Sequence, residues 1–296
     1  MQRATRSTVL AVNLVMFASS VAAAELKPAT LDAWLNYIDA AKLRMQARLQ
    51  PSAQFLWADE DPERAALVKQ GDIEVAPLLG HGWKSVSGGL IHDWIGATFI
   101  PNASLDDLFG VLEDYDHYKD VYKPVVIDSQ LERRADGTDR FSMRWLHKVM
   151  FVTAALDTQN ESHTYRVDDC RAYTLSQTTD VREIQNYGKS DQRELAPDKG
   201  SGFIWRLYSI NRYEERDGGL YVEVEAMALT RDIPMSLRFM VKPVVMKLSR
   251  DSLDTSLEQT RNAVHETEAK AARESSDHGD TTLLVSAMKQ RGMISH

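Results

Sequence analysis

The residues with the greatest chemical potential lie near the end of the chain, between Trp205 and Arg231. Arg206, Tyr208, Glu225 and Arg231 could bind a polar headgroup or exchange a proton if they converged in a sheltered space. The residues on either side of Asp217-Gly218 alternate as strands do, and an Asp-Gly pair between two such runs signals a hairpin. Centring the turn there sets Arg212 opposite Glu223, Ile210 opposite Glu225, Tyr208 opposite Met227 and Arg206 opposite Leu229. The other face pairs Tyr213 with Val222, Asn211 with Val224, Ser209 with Ala226, Leu207 with Ala228 and Trp205 with Thr230.

Two placements follow. In the first, the small and apolar face of Trp205, Leu207, Ser209, Val224 and Ala226 lines a cavity. The charged face then points to water, with cross-strand ion pairs worth about 0.2 to 1 kcal/mol each. In the second, the charged face turns inward, and Arg206, Tyr208, Glu225 and Arg231 form a polar cavity floor that recognises a ligand headgroup. Buried charge is costly unless paired, so a set of that kind would serve function. An earlier strand has the same two-faced character. Phe141, Met143, Trp145 and Val149 share one side while Arg140, Arg144 and Lys148 share the other, and the aromatic side, with Met143 and Trp145, is expected to face inward.

Catalytic and metal chemistry find little support. The eight histidines, at 81, 92, 117, 147, 163, 265, 278 and 296, show no ligand spacing with one another or with cysteine. His92-Asp93 lies in a strand-like run, so its two side chains point to opposite faces and form no dyad. Gly188-Lys189-Ser190 imitates the end of a phosphate loop, but Glu183 stands where the first glycine is needed. No Gly-x-Ser-x-Gly occurs, spacing names no nucleophile and base, and no cofactor is implied. Asp114-Tyr115-Asp116-His117-Tyr118-Lys119-Asp120 reads as a solvated helix face with its tyrosines packed inward.

The first two dozen residues read as an export leader. Arg3 and Arg6 precede an apolar run from Val9 to Ser20, and Val21 to Ala24 supply small residues, which places cleavage after Ala24 and the mature protein in the periplasm or outside the cell. The run is about a dozen residues, too short to cross a bilayer of about 30 Å as a helix. Without the leader, 33 basic residues face 43 acidic ones, a net charge of −10 against −8 for the whole chain. Such a chain is a poor nucleic-acid binder, because phosphate contacts need clustered Lys and Arg. The single cysteine, Cys170, can form no internal disulfide and is expected in a strand, at least half-buried.

These side chains need positioning elements. Thr30 to Gln50 has a helical apolar stripe with Thr30 as its cap, and Pro51 stops it. Asp61-Pro62-Glu63 opens a shorter helix to about Gln70, and a short strand is expected over Asp72 to Leu79. From Gly89 the period becomes strand-like: Leu90 to Ile100, then, after a helical stretch over 104–122, runs centred on 125–133, 139–149, 150–157, 163–168, 171–184, 203–215 and 219–230. Hairpin signals at Asp136-Gly137 and Asp217-Gly218 with no intervening helices imply an antiparallel sheet. After Pro234 the helical period returns over about 236–262, with a kink or start at Pro243. The resulting division is a leader over 1–24, a helical extension over 25–87, a main domain over 88–264 and a polar, disordered tail over 265–296.

One strand, two short helices, several antiparallel strands and a long last helix resemble the helix-grip fold of the START-like (SRPBCC) superfamily. Ile100-Pro101, the cap Ser104, the stripe Leu105, Leu108, Phe109 and Leu112, then Asp114, Tyr115, Tyr118 and Pro124, carry the resemblance, together with Ile233-Pro234 before the last helix. The run from Gly200 to Pro234 further resembles exported bacterial START-like proteins without an assigned activity. The resemblance implies an α+β fold in which a curved antiparallel sheet wraps a long C-terminal helix and encloses an apolar space. It implies a hydrophobic small-molecule partner, such as a lipid, quinone or polyketide-like compound, and transient contact with a membrane surface. A cyclase or aromatase-type enzyme using the same cavity, and an envelope scaffold with a vestigial cavity, are the alternatives.

Overall fold

A computed structural model describes residues 24–149, 152–232, 246–267 and 269. Residues 1–23 of the expected leader, the Ile233-Pro234 exit and Pro243 lie outside the described residues.

The chain begins with β1 (Ala24–Glu25) and α1 (Pro28–Arg48). Pro28 occupies the first turn, where its missing N–H costs nothing, so the helix starts two residues ahead of the expected cap. Thr30 is therefore inside the helix, and its hydroxyl donates instead to the Ser87 carbonyl at 2.5 Å. A loop returns through Phe55–Ala58, all buried, to α2 (Pro62–Lys69), where the Asp61 carboxylate accepts from the Glu63 and Arg64 backbone N–H groups as a cap should.

The sheet follows as β2 (Glu74–Pro77), β3 (Trp83–Val86) and β4 (Gly89–Pro101). Pro101 ends β4, and Ser104 and Asp107 close a capping box on α3 (Leu105–Leu112). The stretch predicted as helical to 122 is broken after α3: a 3₁₀ turn over Tyr115–His117 leads to the short α4 (Tyr118–Val121). Then come β5 (Val126–Ala135), β6 (Thr138–Val149), β7 (Val152–Arg166), β8 (Arg171–Gln185), the short β9 (Arg193–Glu194) and β10 (Lys199–Gly200), β11 (Arg206–Arg216) and β12 (Gly219–Arg231). The last helix, α5, spans 246–267 and continues past the expected domain end at 264. No described helix is long and apolar enough to cross a membrane.

The strands form one antiparallel ten-stranded sheet in the order β2-β4-β12-β11-β8-β7-β6-β5, with β3 also on β4 and β9 on β8, while β1 pairs with β10. Both Asp-Gly hairpins form, with positive φ at Asp136, Gly137, Asp217 and Gly218, the backbone that a two-residue turn of this hand requires. Register shifts in β5/β6 and β7/β8 mark bulges that bend the sheet. Where two strands were expected, over 150–157 and 163–168, β7 is a single strand of 15 residues.

The sheet carries a core on each face. The inner face packs α3 and α5 through Trp94, Ile100, Leu105, Leu108, Phe109, Tyr213, Val222, Leu253, Leu257 and Val264. Gly96 permits the closest approach: a Cβ there would lie 2.7 Å from Leu257 Cδ1 and 3.2 Å from Leu253 Cγ. Farther along α5, Arg261 donates to the Gly71 carbonyl, Gln259 to the Lys123 carbonyl, and Thr260 meets the Tyr122 hydroxyl. The outer face packs α1 and the 55–58 segment through Trp34, Ile38, Met45, Leu56, Ile91, Ile95, Ile210, Met227 and Leu229. Cys170 lies in the turn between β7 and β8 and is exposed, contrary to expectation, because Asp168 accepts from the Cys170 and Arg171 N–H groups and closes that turn before β8 begins.

Candidate functional site

The last hairpin has the register its turn dictates. Arg212 pairs with Glu223, Ile210 with Glu225, Tyr208 with Met227, Ser209 with Ala226 and Asn211 with Val224. Burial alternates along both strands. In β12, Glu223, Glu225, Met227 and Leu229 are buried, whereas Val224, Ala226 and Ala228 between them are half-buried; in β11, Leu207, Ser209 and Asn211 are likewise half-buried. Between residues 223 and 229 of β12 the side that α1 covers is thus sealed, while the side toward α5 retains accessible surface.

The inner wall can be built row by row from the strand pairings. Trp94, Ala226, Ser209, Ser176 and Ser162 lie across β4, β12, β11, β8 and β7, and Gly96, Val224, Asn211, Thr174 and Thr164 form the next row. On β6, Met143 and Trp145 face the same way and are half-buried, as expected. The Trp145 indole N–H donates to Thr158 at 3.0 Å, and its ring stacks toward His147, which in turn meets Phe203. His92, also on the inner face, contacts Thr230 through Nε2 at 2.9 Å; burial pushes its pKa down to about 4, so it stands neutral. His147 is lowered for the same reason.

The structure therefore brings Met143, Trp145, Leu207, Ser209, Val224 and Ala226 onto the wall that faces α5. Trp205, just ahead of β11, is buried in the outer core instead, its N–H bonded to the Leu229 carbonyl. The charged face matches neither placement considered from sequence. Tyr208 and Glu225 are buried, so that face is not in water; but they lie on the side away from α5, so they are no cavity floor. Arg206 is half-buried and pairs with Asp198 at 2.7 Å, and Arg231, also on the outer side, receives no ligand-like arrangement. The reason is the N-terminal extension, which occupies the outer face.

There the charges form a continuous network. Arg212 Nε donates to Glu223 at 2.9 Å and Nη1 to Glu225 at 3.2 Å. Glu223 also accepts from the Trp57 and Ala58 backbone N–H groups at 2.9 and 2.7 Å. From α1, Arg44 donates to Glu225 at 3.0 Å and the Tyr37 hydroxyl donates to Asp93 at 2.5 Å. Burial opposes the charge of Arg212, but Glu223 and Glu225 outweigh it and hold the guanidinium above its usual range. Burial, then the negative charge of Glu225, pushes Asp93 up to about 7, while Tyr37, Arg44 and Arg212 pull it back. His92 and Asp93 do point to opposite faces, one to each core.

Beyond α1, the open part of the outer face holds a groove of about 380 Å³ lined by Asp128, Arg144, Asp157, Asp180, Arg182 and Glu194, among others. Both arginines are engaged, Arg144 with Asp157 and Arg182 with Asp180 and Glu194. Among the described residues no group of three or more potential ligands could hold a metal ion.

No protein-family model matches the chain, and no curated protein does either. Solved structures do. The chain is similar to a STAR-related lipid transfer protein fragment from Xanthomonas axonopodis, at 16% identity and a TM-score of 0.43, over 62% of this chain and 99% of that one. Human StAR-related lipid transfer protein 5 is similar at 11% identity and 0.41, over 81% and 99%. The Zhui aromatase/cyclase from Streptomyces sp. R1128 is similar at 13% identity and 0.35, over 61% and 96%. The helix-grip assignment rests on the molecule's own architecture: one large antiparallel sheet, two short helices after its long first central strand, and α5 laid on its inner face.

The sequence reasoning did not single out the inner residues Trp94, Asn160, Ser162 and Ser176, nor the outer partners Tyr37 and Arg44. Strand alternation could have found the first group. Nothing local marks the second, because their partners lie more than 50 residues away.

Proposed function

We propose that this chain is an exported binding protein that holds a hydrophobic small molecule, such as a lipid, quinone or polyketide-like compound, between the inner face of the sheet and α5. One observation carries this reading. In the middle of β12 the side facing α1 is sealed while Val224, Ala226 and Ala228, facing α5, are only half-buried. A close-packed interior leaves no such surface beneath a helix. The wall there offers apolar and aromatic side chains, and burying apolar ligand surface gives roughly 25 cal/mol per Å². Export is supported by Arg3, Arg6, the apolar run and the small residues before Glu25.

The two inner-face histidines, His92 and His147, stand on β4 and β6, separated by four intervening strands, so they do not pair with each other. Binding is therefore the reading adopted. Native mass spectrometry of the full chain after mild purification tests it. A co-purifying lipophile, released on denaturation, is the expected result; a single bare mass, with no hydrophobic dye displaced by lipid extracts, would overturn the reading.

A further inference from the structure

Most of the polar groups on the inner wall are already satisfied by their neighbours. Thr158 receives the Trp145 indole N–H and donates to the Met143 carbonyl at 3.1 Å. Asn160 donates to the Phe141 carbonyl, Thr164 and Thr174 bond each other at 3.1 Å, and Thr178 receives the Leu207 N–H. Three adjacent side chains differ. Among the described residues Ser176 Oγ has no hydrogen-bond partner, Ser209 Oγ receives only the Asn211 amide at 3.4 Å, and Asn211, whose side chain also interacts with Tyr213, keeps Oδ1 as a buried acceptor with no donor. Ser176 and Ser209 are paired across β8 and β11, Asn211 follows on the same face, and all three are half-buried.

On the described strands no charged residue neighbours them. On the inner face of β4, β7, β8, β11 and β12, described charged residues occur only toward the ends, each already engaged: Arg166 with Asp106, Glu215 with the Leu105 N–H, and Glu183 with Ser201. A carboxylate or phosphate would meet no cation from the described strands at this point, and its lost hydration would go uncompensated by the sheet. A hydroxyl or carbonyl can exchange hydrogen bonds with two serines and an amide at little cost.

We propose that Ser176, Ser209 and Asn211 form the polar recognition patch of the cavity and select an uncharged hydrophobe bearing a hydroxyl or carbonyl group, rather than a fatty acid or phospholipid headgroup. The inference rests on the cavity reading above and specifies its ligand class. Three fluorescent probes of one size test it: 2-naphthalenemethanol, 2-methylnaphthalene and 2-naphthoate, titrated against the full chain. The alcohol should bind at least as tightly as the hydrocarbon, although the hydrocarbon gains more by leaving water, and the carboxylate should bind most weakly. Ser176→Ala with Ser209→Ala should weaken the alcohol about tenfold and leave the hydrocarbon unchanged. Asn211→Leu should do the same, and serves if the double variant does not fold. Equal weakening of both probes, no change in either, or tightest binding of the carboxylate would overturn the patch while leaving the cavity in place. Failure of all three probes to bind the wild type would overturn the cavity itself, and the patch with it.

Discussion

Arg212 and Glu223 face each other across the last hairpin at 2.9 Å, and neither reaches solvent. Only one of the two placements open from sequence set this pair on a solvated surface. The pair is instead the centre of a buried contact that ties α1 and the 55–58 segment to the back of the sheet. A buried ion pair adds little net stability over apolar residues of the same shape, but removing one partner strands the other in a dry site.

Glu223→Gln is therefore expected to cost on the order of 3–5 kcal/mol, since it leaves Arg212 only its longer contact to Glu225 and weakens the acceptors for the Trp57 and Ala58 N–H groups. Urea denaturation measures it. Arg212→Met together with Glu223→Gln should recover part of that loss; two independent, additive penalties would show that the ion pair is not what couples them.

Stability should also depend on pH through Asp93. Its folded pKa of about 7 lies above the ordinary carboxylate value, so the native state holds a proton that the unfolded chain releases. That contribution is complete below about pH 4 and is lost as pH rises through 7. His92, held down to about 4, acts in the opposite direction: its contribution is present above about pH 6.5 and is lost as pH falls through 4. Urea midpoints of wild type and Asp93→Asn from pH 5 to 8 separate the two. The variant should gain on wild type steadily as pH rises, and a constant difference would refute the assignment.

Neighbouring residues on β12 should respond in opposite ways to a change of size. Met227→Ala empties a sealed position in the outer core and should cost about 2–5 kcal/mol. Ala228→Leu enlarges a half-buried inner position and should change the urea midpoint little, whereas a packed interior would penalise the insertion by about 1–3 kcal/mol.

The parts of the fold visible in sequence are those set by local chemistry. Asp217-Gly218 determines a two-residue turn, and from it every pairing from Arg212–Glu223 to Arg206–Leu229 follows. Ser104 announces the start of α3 in the same way. The orientation of that hairpin was not visible, because both of its faces are covered. What covers the charged side is α1, whose Arg44 stands 181 positions from its partner Glu225. β7 was divided in two for a related reason. Its inward residues Thr158, Asn160 and Ser162 are polar, so the alternation that marks a strand with one apolar face disappears along this stretch of the inner face. That Met143 and Trp145 share a face was legible because their strand alternates cleanly, whereas the burial of Arg206, Tyr208 and Glu225 was not, because their distant partners could not be seen.

The most direct test of the central claim is the binding of the solvatochromic dye Nile red to the wild type and to Ala226→Trp. Ala226 lies on the inner wall between Trp94 and Ser209, so an indole there should fill the space beside α5 without disturbing the outer core. The expected result is blue-shifted dye fluorescence with saturable binding in the wild type, and its loss in a variant whose urea midpoint is unchanged. A wild type that does not bind the dye, or an Ala226→Trp variant that folds and binds it with the same affinity, would contradict a ligand cavity between the sheet and α5.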